Sequence, residues 1–189
     1  IADAKRGDIG NTSNKYAEAF FKKMSFDAIT LAPYMGYDSV IPFLNHKDKW
    51  AILLASTSNI GALDFQELMI ENSGGQKIYE KVIEISSKWG SDQNLMYVIG
   101  ATRVNTLAQI RKIIPDHFLL IPGVGVQGGD LDLVCKYAMN NFGGLLINSA
   151  RSIIYADSTV NFAYHAGLAA AELQDKMATA IQKYKKWSL

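Results

Sequence analysis

One cysteine, Cys135, stands in the 189 residues, so neither an internal disulfide framework nor a multi-cysteine metal site can form. Neither sign of charge is in surplus: the formal net charge of +1 gives no electrostatic support for a nucleic-acid or other polyanionic partner. No apolar run approaches the roughly 20 residues that a membrane span needs. The histidines His46, His117 and His165 lie in unrelated contexts, without H-x-x-x-H or H-x-H spacing, and so indicate no zinc site. G-x-S-x-G is missing, and with it any argument for a serine nucleophile elbow. There is also no initiator Met. The chain opens on Ile1-Ala2, which reads as the last part of a strand, and the expectation is a piece of a longer protein.

What is present is 49% hydrophobic and 20% charged, enough for the core of one ordinary globular domain. Short apolar runs rich in β-branched residues alternate with longer amphipathic stretches. The runs are 27–31, 50–55, 95–100, 117–121 and 144–148. Near-continuous hydrophobic strands are what a parallel sheet covered on both faces requires. Between them, helices are expected over 12–24, 76–89, 106–114, 130–139 and 160–184, each with one apolar stripe that reads as a core face. Cys135 sits on such a stripe with Leu131, Val134 and Ala138, as a buried, inert thiol. The βα alternation predicts an α/β fold with a parallel sheet. The informative polar motifs all come just after strands, where a TIM (β/α)8 barrel places its chemistry. A doubly wound sheet would usually carry a Gly-rich phosphate loop after its first strand, and none follows Asp3.

The first motif is Asp3-Ala4-Lys5-Arg6-Gly7-Asp8. If the strand runs extended through Lys5, Asp3 and Lys5 share a face, and Asp8 lies on the loop beyond. Alternating charges of this kind also occur on solvated surfaces. Pro122 to Asp130 contains four glycines within 123–129. They let backbone N–H groups approach an anion next to a helix that begins near Asp130, and Gln127 can donate to phosphate. The plainer reading is a turn with positive φ angles, which needs fewer glycines. Arg151, just after the strand ending at Asn148, is placed to hold phosphate through two parallel hydrogen bonds; the last two βα loops are the usual phosphate site of such barrels. Thr57, Ser58 and Asn59 could read the edge of a heterocycle, but alone they read as capping and turn residues. Capping is also the first reading of Asp38 and Ser39, next to Tyr34 and Met35.

Taken together, Asp3 to Thr12, Pro33 to Ser39, Thr57 to Gly61, Pro122 to Asp130 and Asn148 to Arg151 resemble the orotidine 5′-phosphate decarboxylase family, in its branch with D-x-K-x-x-D-I-G-N-T and P-Y-M-G-x-D-S. The segments occur in family order across essentially the whole chain. The resemblance implies one TIM-barrel domain over 1–189, N-terminally incomplete, carrying roughly the last six βα units. It implies a cytoplasmic enzyme that converts orotidine 5′-phosphate to uridine 5′-phosphate without metal or cofactor. It further implies a homodimer with shared active sites, and no nucleic-acid or membrane partner.

Carried over by motif, Lys5 donates the proton to C6 of the pyrimidine, and Asp3 lies beside the substrate carboxylate and positions Lys5. Asp8, with Ile9 and Thr12, serves the neighbouring subunit's site. Ser58 contacts the pyrimidine edge, Pro122 lies near the base, and Gln127 and Arg151 hold the phosphate. A fixed ammonium at C6 would stabilise negative charge as it develops there. The family also has a ribose-binding aspartate and a further lysine on two strands that precede Asp3, and neither occurs in these residues. Ala150-Arg151 stands where Gly-Arg is expected. Two alternatives remain: a Mg²⁺-dependent sugar-phosphate decarboxylase or aldolase of the same barrel group, and a non-catalytic nucleotide-phosphate-binding fragment.

Overall fold

The computed structural model describes residues 1–102, 104–125 and 129–185. Six strands form one parallel sheet: β1 (Ala2–Arg6), β2 (Ala28–Leu31), β3 (Trp50–Ser56), β4 (Leu95–Ile99), β5 (Leu119–Pro122) and β6 (Leu145–Asn148). Their spatial order is their chain order, β1-β2-β3-β4-β5-β6. A doubly wound sheet would reverse direction at a switch point. This one does not, and it is an arc of a (β/α) barrel whose two edges are β1 and β6.

Helices fill the connections: α1 (Gly10–Ala17), α2 (Tyr37–Leu44), α3 (Ala62–Phe65), α4 (Ile78–Ser86), α5 (Val104–Ile113), α6 (Leu131–Ala138), α7 (Arg151–Ile154) and α8 (Phe162–Tyr184). The stripe expected over 12–24 is α1 followed by a π-helical turn over Glu18–Lys23. That wider turn lets Phe21 pack edge-on against Phe43 while Phe20 meets Phe26. Capping proved different from expectation at α2. Its N-cap is Gly36, at φ 91°, with no side-chain cap. The Ser39 hydroxyl instead donates back to Gly36 O, and Ser13 donates to Ser39 O, tying α1 to α2.

Alternation along the strands splits the apolar residues into two sets. Ile29, Leu31, Ala51, Leu53, Leu95, Tyr97, Ile99, Leu119 and Ile121 face the helices. Ala28, Ile52, Met96 and Val98, with Trp50, Leu54, Phe118, Leu120 and Leu146 beside them, form the second cluster inside the arc. Both faces are thus covered, which is why the strands are apolar throughout. In-register pairing lines up Leu54, Val98, Leu120 and Leu146 across four strands, and the first three floor the site described next. Cys135 is buried, and burial pushes its thiol pKa up to about 11.

At the N-terminal ends of β5 and β6, Arg111 is half-buried and donates to the carbonyls of Ile114, Pro115, His117, Ala138 and Gly144. Its burial lowers its pKa to about 10, against the opposing charge of Asp116. These bonds fasten the segments entering β5 and β6.

Candidate active site

Strand β1 does not run regularly beside β2. Ala2 pairs with Ile29 and Arg6 with Leu31, so Asp3, Ala4 and Lys5 together face Thr30 alone. The strand is bulged there, and Lys5 takes φ 48°, a left-handed conformation that costs a non-glycine residue roughly 1 kcal/mol or more. Bulges of this kind re-aim side chains next to active sites. Ala2 and Ala4 remain packed toward the helix-side core, while Asp3 and Lys5 turn to the other face. Lys5 Nζ lies 2.6 Å from Asp3 Oδ2, so the shared face expected from the spacing is realised, although the backbone at Lys5 is not extended. Thr30, fully buried, accepts from Lys5 N and donates to Asp3 Oδ1, both at 3.0 Å. The Lys5 hydrogen bond, ahead of the opposing effect of burial and then the bond from Thr30, holds the Asp3 carboxyl below its ordinary pKa.

Asp3 and Lys5 line a cavity of 280 Å³ with Ile1, Leu54, Val98, Leu120, Pro122 and Asn148. Its floor is the apolar row of β3, β4 and β5; its polar groups come from both edges of the arc. A second cavity, of 140 Å³, is lined by Pro122, Gly123, Val124 and Asn148 through Ser152, Arg151 among them. Pro122 and Asn148, paired across β5 and β6, line both. An apolar-floored pocket holding an ammonium–carboxylate pair therefore adjoins a smaller space beside an arginine. Arg151 is exposed and is the first residue of α7, not a strand residue. The helix expected near Asp130 is present, with the Asp130 side chain accepting from Leu133 N as its cap. Gln127 lies outside the described residues.

The remaining sequence-derived residues line neither cavity. Asp8 is on the loop after β1, where its Oδ1 accepts from Ile9 N at 2.8 Å, and Ile9 and Thr12 are exposed. Ser58 is exposed on the loop after β3. The reading of Thr57 and Asn59 as helix caps gives way: α3 has no side-chain cap. Thr57 donates to Asn59 Oδ1, and Gln66 clamps Thr57 by accepting from its N–H and donating to its hydroxyl, each at 2.8 Å. Ser58 also abuts Gly100, where an added Cβ would come within 2.9 Å of Ser58 N and Cβ.

Sequence reasoning passed over Asn148 as a lining residue, as well as Thr30 and Gln66. Asn148 was legible, being two positions after the inward Leu146 on the same strand. Thr30 and Gln66 act through contacts 25–27 and 9 residues away in sequence, which no local pattern encodes.

A family model described as "Orotidine 5'-phosphate decarboxylase / HUMPS family" matches residues 1–164. A protein of Christiangramia forsetii named orotidine 5'-phosphate decarboxylase is 59% identical over 183 residues, spanning 97% of this chain and 66% of its own length. One of Bacteroides fragilis with the same name is 54% identical over 182 residues, covering 96% and 66%. Among solved structures, that of Leishmania donovani OMP decarboxylase superposes with a TM-score of 0.82 at 33% identity, covering 94% of this chain and 66% of the other. The chain thus spans slightly under two thirds of the length of the curated relatives it matches.

Proposed function

The chain belongs to the orotidine 5'-phosphate decarboxylase / HUMPS family, and from that membership we propose that it forms the larger part of an enzyme converting orotidine 5'-phosphate to uridine 5'-phosphate. The observation that carries this reading is the Asp3–Lys5 pair at 2.6 Å, in a cavity that adjoins the Arg151 space through Pro122 and Asn148. The separation of roles follows from chemistry. In decarboxylation the bond from C6 to the carboxylate carbon breaks, CO₂ leaves, and the electron pair stays on C6. Lys5 supplies an ammonium where that charge develops and transfers a proton to C6, leaving an amine that solvent reprotonates. Asp3 orients Lys5. Arg151, together with Gln127, takes the phosphate, whose binding energy is expressed at the reacting carbon. Pro122 lies against the base, and Ser58 meets its edge.

Asp8, Ile9 and Thr12 line neither cavity of this chain, which accords with their serving a second copy in a homodimer with shared sites. The barrel closes between β6 and β1 when the remaining third of the protein adds two strands; a ribose-binding aspartate and a second lysine come with them. The activity belongs to the complete, cytoplasmic protein and needs no metal or cofactor. The sugar-phosphate alternative shares the family, but relatives 54–59% identical carry the orotidine name, and they support the first reading.

The test is loss of orotidine 5'-phosphate absorbance with the complete protein and its Lys5→Ala variant. We expect turnover in the first and a loss of about 10³-fold or more in the second. Full activity in the variant would remove Lys5 from the mechanism.

A further inference from the structure

The bulge in β1 leaves Lys5 without a place in the regular ladder. Three residues of β1 face one of β2, and the Lys5 N–H donates not to a main-chain carbonyl but to the Thr30 hydroxyl. A backbone N–H can only donate, so Thr30 Oγ1 accepts there, and its single proton is committed to Asp3 Oδ1. Asp3 is then held at both oxygens, Oδ1 by Thr30 and Oδ2 by Lys5 Nζ. Backbone and side chain of Lys5 and the carboxylate between them form one closed ring of contacts through a single hydroxyl. That hydroxyl is the one polar group on the side chain of a fully buried, β-branched residue, whose χ1 is stiff.

Resting on the decarboxylase reading above, we propose that Thr30 is the positioning residue of the reaction centre: its hydroxyl replaces the acceptor that the bulge withdraws from Lys5 and aims the Lys5 ammonium and the Asp3 carboxylate into the same cavity. Without it, the left-handed backbone of Lys5 loses the bond that offsets its strain, and the carboxylate turns freely about its remaining contact. Misplacement of a reacting group by about 1 Å can cost on the order of 10²-fold in rate. Substrate held by the phosphate and base residues is little affected, so the loss falls on kcat and not on KM.

The experiment compares wild type, Thr30→Val and Thr30→Ser in the complete protein. Valine keeps the shape and removes both hydrogen bonds; serine keeps both. We expect kcat to fall about 10- to 100-fold in Thr30→Val with KM changed less than about threefold, and to stay within about threefold of wild type in Thr30→Ser. An unchanged kcat in Thr30→Val, or a loss confined to KM, would overturn the proposal. Should Thr30→Val not fold, Thr30→Cys replaces it, and equal kcat in the Cys and Ser variants overturns the proposal in the same way. An NMR titration of the Asp3 carboxyl separates the two readings. If wild type does not turn over orotidine 5'-phosphate, the decarboxylase reading falls; the Asp3 midpoint must still rise in the variant lacking the hydroxyl, and a midpoint that does not move overturns the role of Thr30.

Discussion

Lys5 Nζ stands 2.6 Å from Asp3 Oδ2 although Lys5 itself lies at φ 48° in a bulged strand. The pair is brought together by a distortion, and it stays open to solvent, with the Asp3 side chain about two-thirds exposed.

That geometry fixes a pH dependence. Asp3 has its pKa lowered, first by the Lys5 hydrogen bond and then, against burial, by Thr30. A carboxyl depressed on folding contributes stability that is fully present above the unfolded value of about 3.9 and is lost as pH falls through the lower folded value. Thermal melts below pH 4 or so are expected to show a loss that Asp3→Asn lacks, worth under about 1 kcal/mol because the pair is solvated. At neutral pH Asp3→Asn is expected to lower kcat by about 10²-fold or more. An Asp3→Asn enzyme of normal kcat would separate the carboxylate from the chemistry.

Ser58 is held from two sides, by the Gln66–Thr57 clamp and by the absence of a Cβ at Gly100. Gly100→Ala pushes the Ser58 backbone away, and Gln66→Leu releases Thr57. Both are expected to raise KM for the nucleotide about tenfold while leaving inhibition by ribose 5-phosphate, which has no base, unchanged. Equal losses toward both ligands would show that the loop does not read the base.

Arg111 serves the N-terminal ends of β5 and β6, where it donates to five carbonyls, from the end of its own helix through the turn before β6. Lysine can replace only part of this planar fork. Arg111→Lys is expected to cost about 2–4 kcal/mol in urea unfolding, with kcat of the folded fraction unchanged.

His117 gives a second pH signature. Both ring nitrogens are buried with no hydrogen-bond partner among the described residues, and the ring lies 5.7 Å from that of Tyr97. Burial lowers its pKa, opposed by Asp92 and Asp116 and assisted by Arg111. Above the ordinary value of about 6.5 it is neutral in both states. As pH falls below that value the unfolded chain takes the proton first, and stability declines until the folded value is passed. Melting temperature should therefore drop from pH 7 to 5, and less steeply in His117→Phe. His46, also lowered first by burial, accounts for part of the slope that remains. Identical slopes in wild type and variant would rule out His117 as a contributor.

Much of this protein was determined by the sequence by itself. Apolar runs separated by amphipathic stretches dictate a parallel sheet clothed in helices, because strands buried on both faces have nowhere to put polar residues. The D-x-K spacing predicts that Asp3 and Lys5 share a face, as they do, though through a bulged and not an extended strand, and strand-end placement points to Pro122 and the segment from Asn148 to Arg151, which line a cavity. Other features were decided only by the tertiary structure. The register of β1 against β2 sets the bulge, and with it the left-handed Lys5 and the role of Thr30. The clamp on Thr57 closes back from Gln66 within the connection after β3, and the fit of Ser58 against Gly100 arises where the loops after β3 and β4 meet. Pairing of β5 with β6 makes Pro122 and Asn148 the shared wall of two cavities. Periodicity reports which face a residue occupies. It carries no information about the neighbour that satisfies a displaced N–H across a strand pair, since that depends on register and on packing between segments distant in the chain.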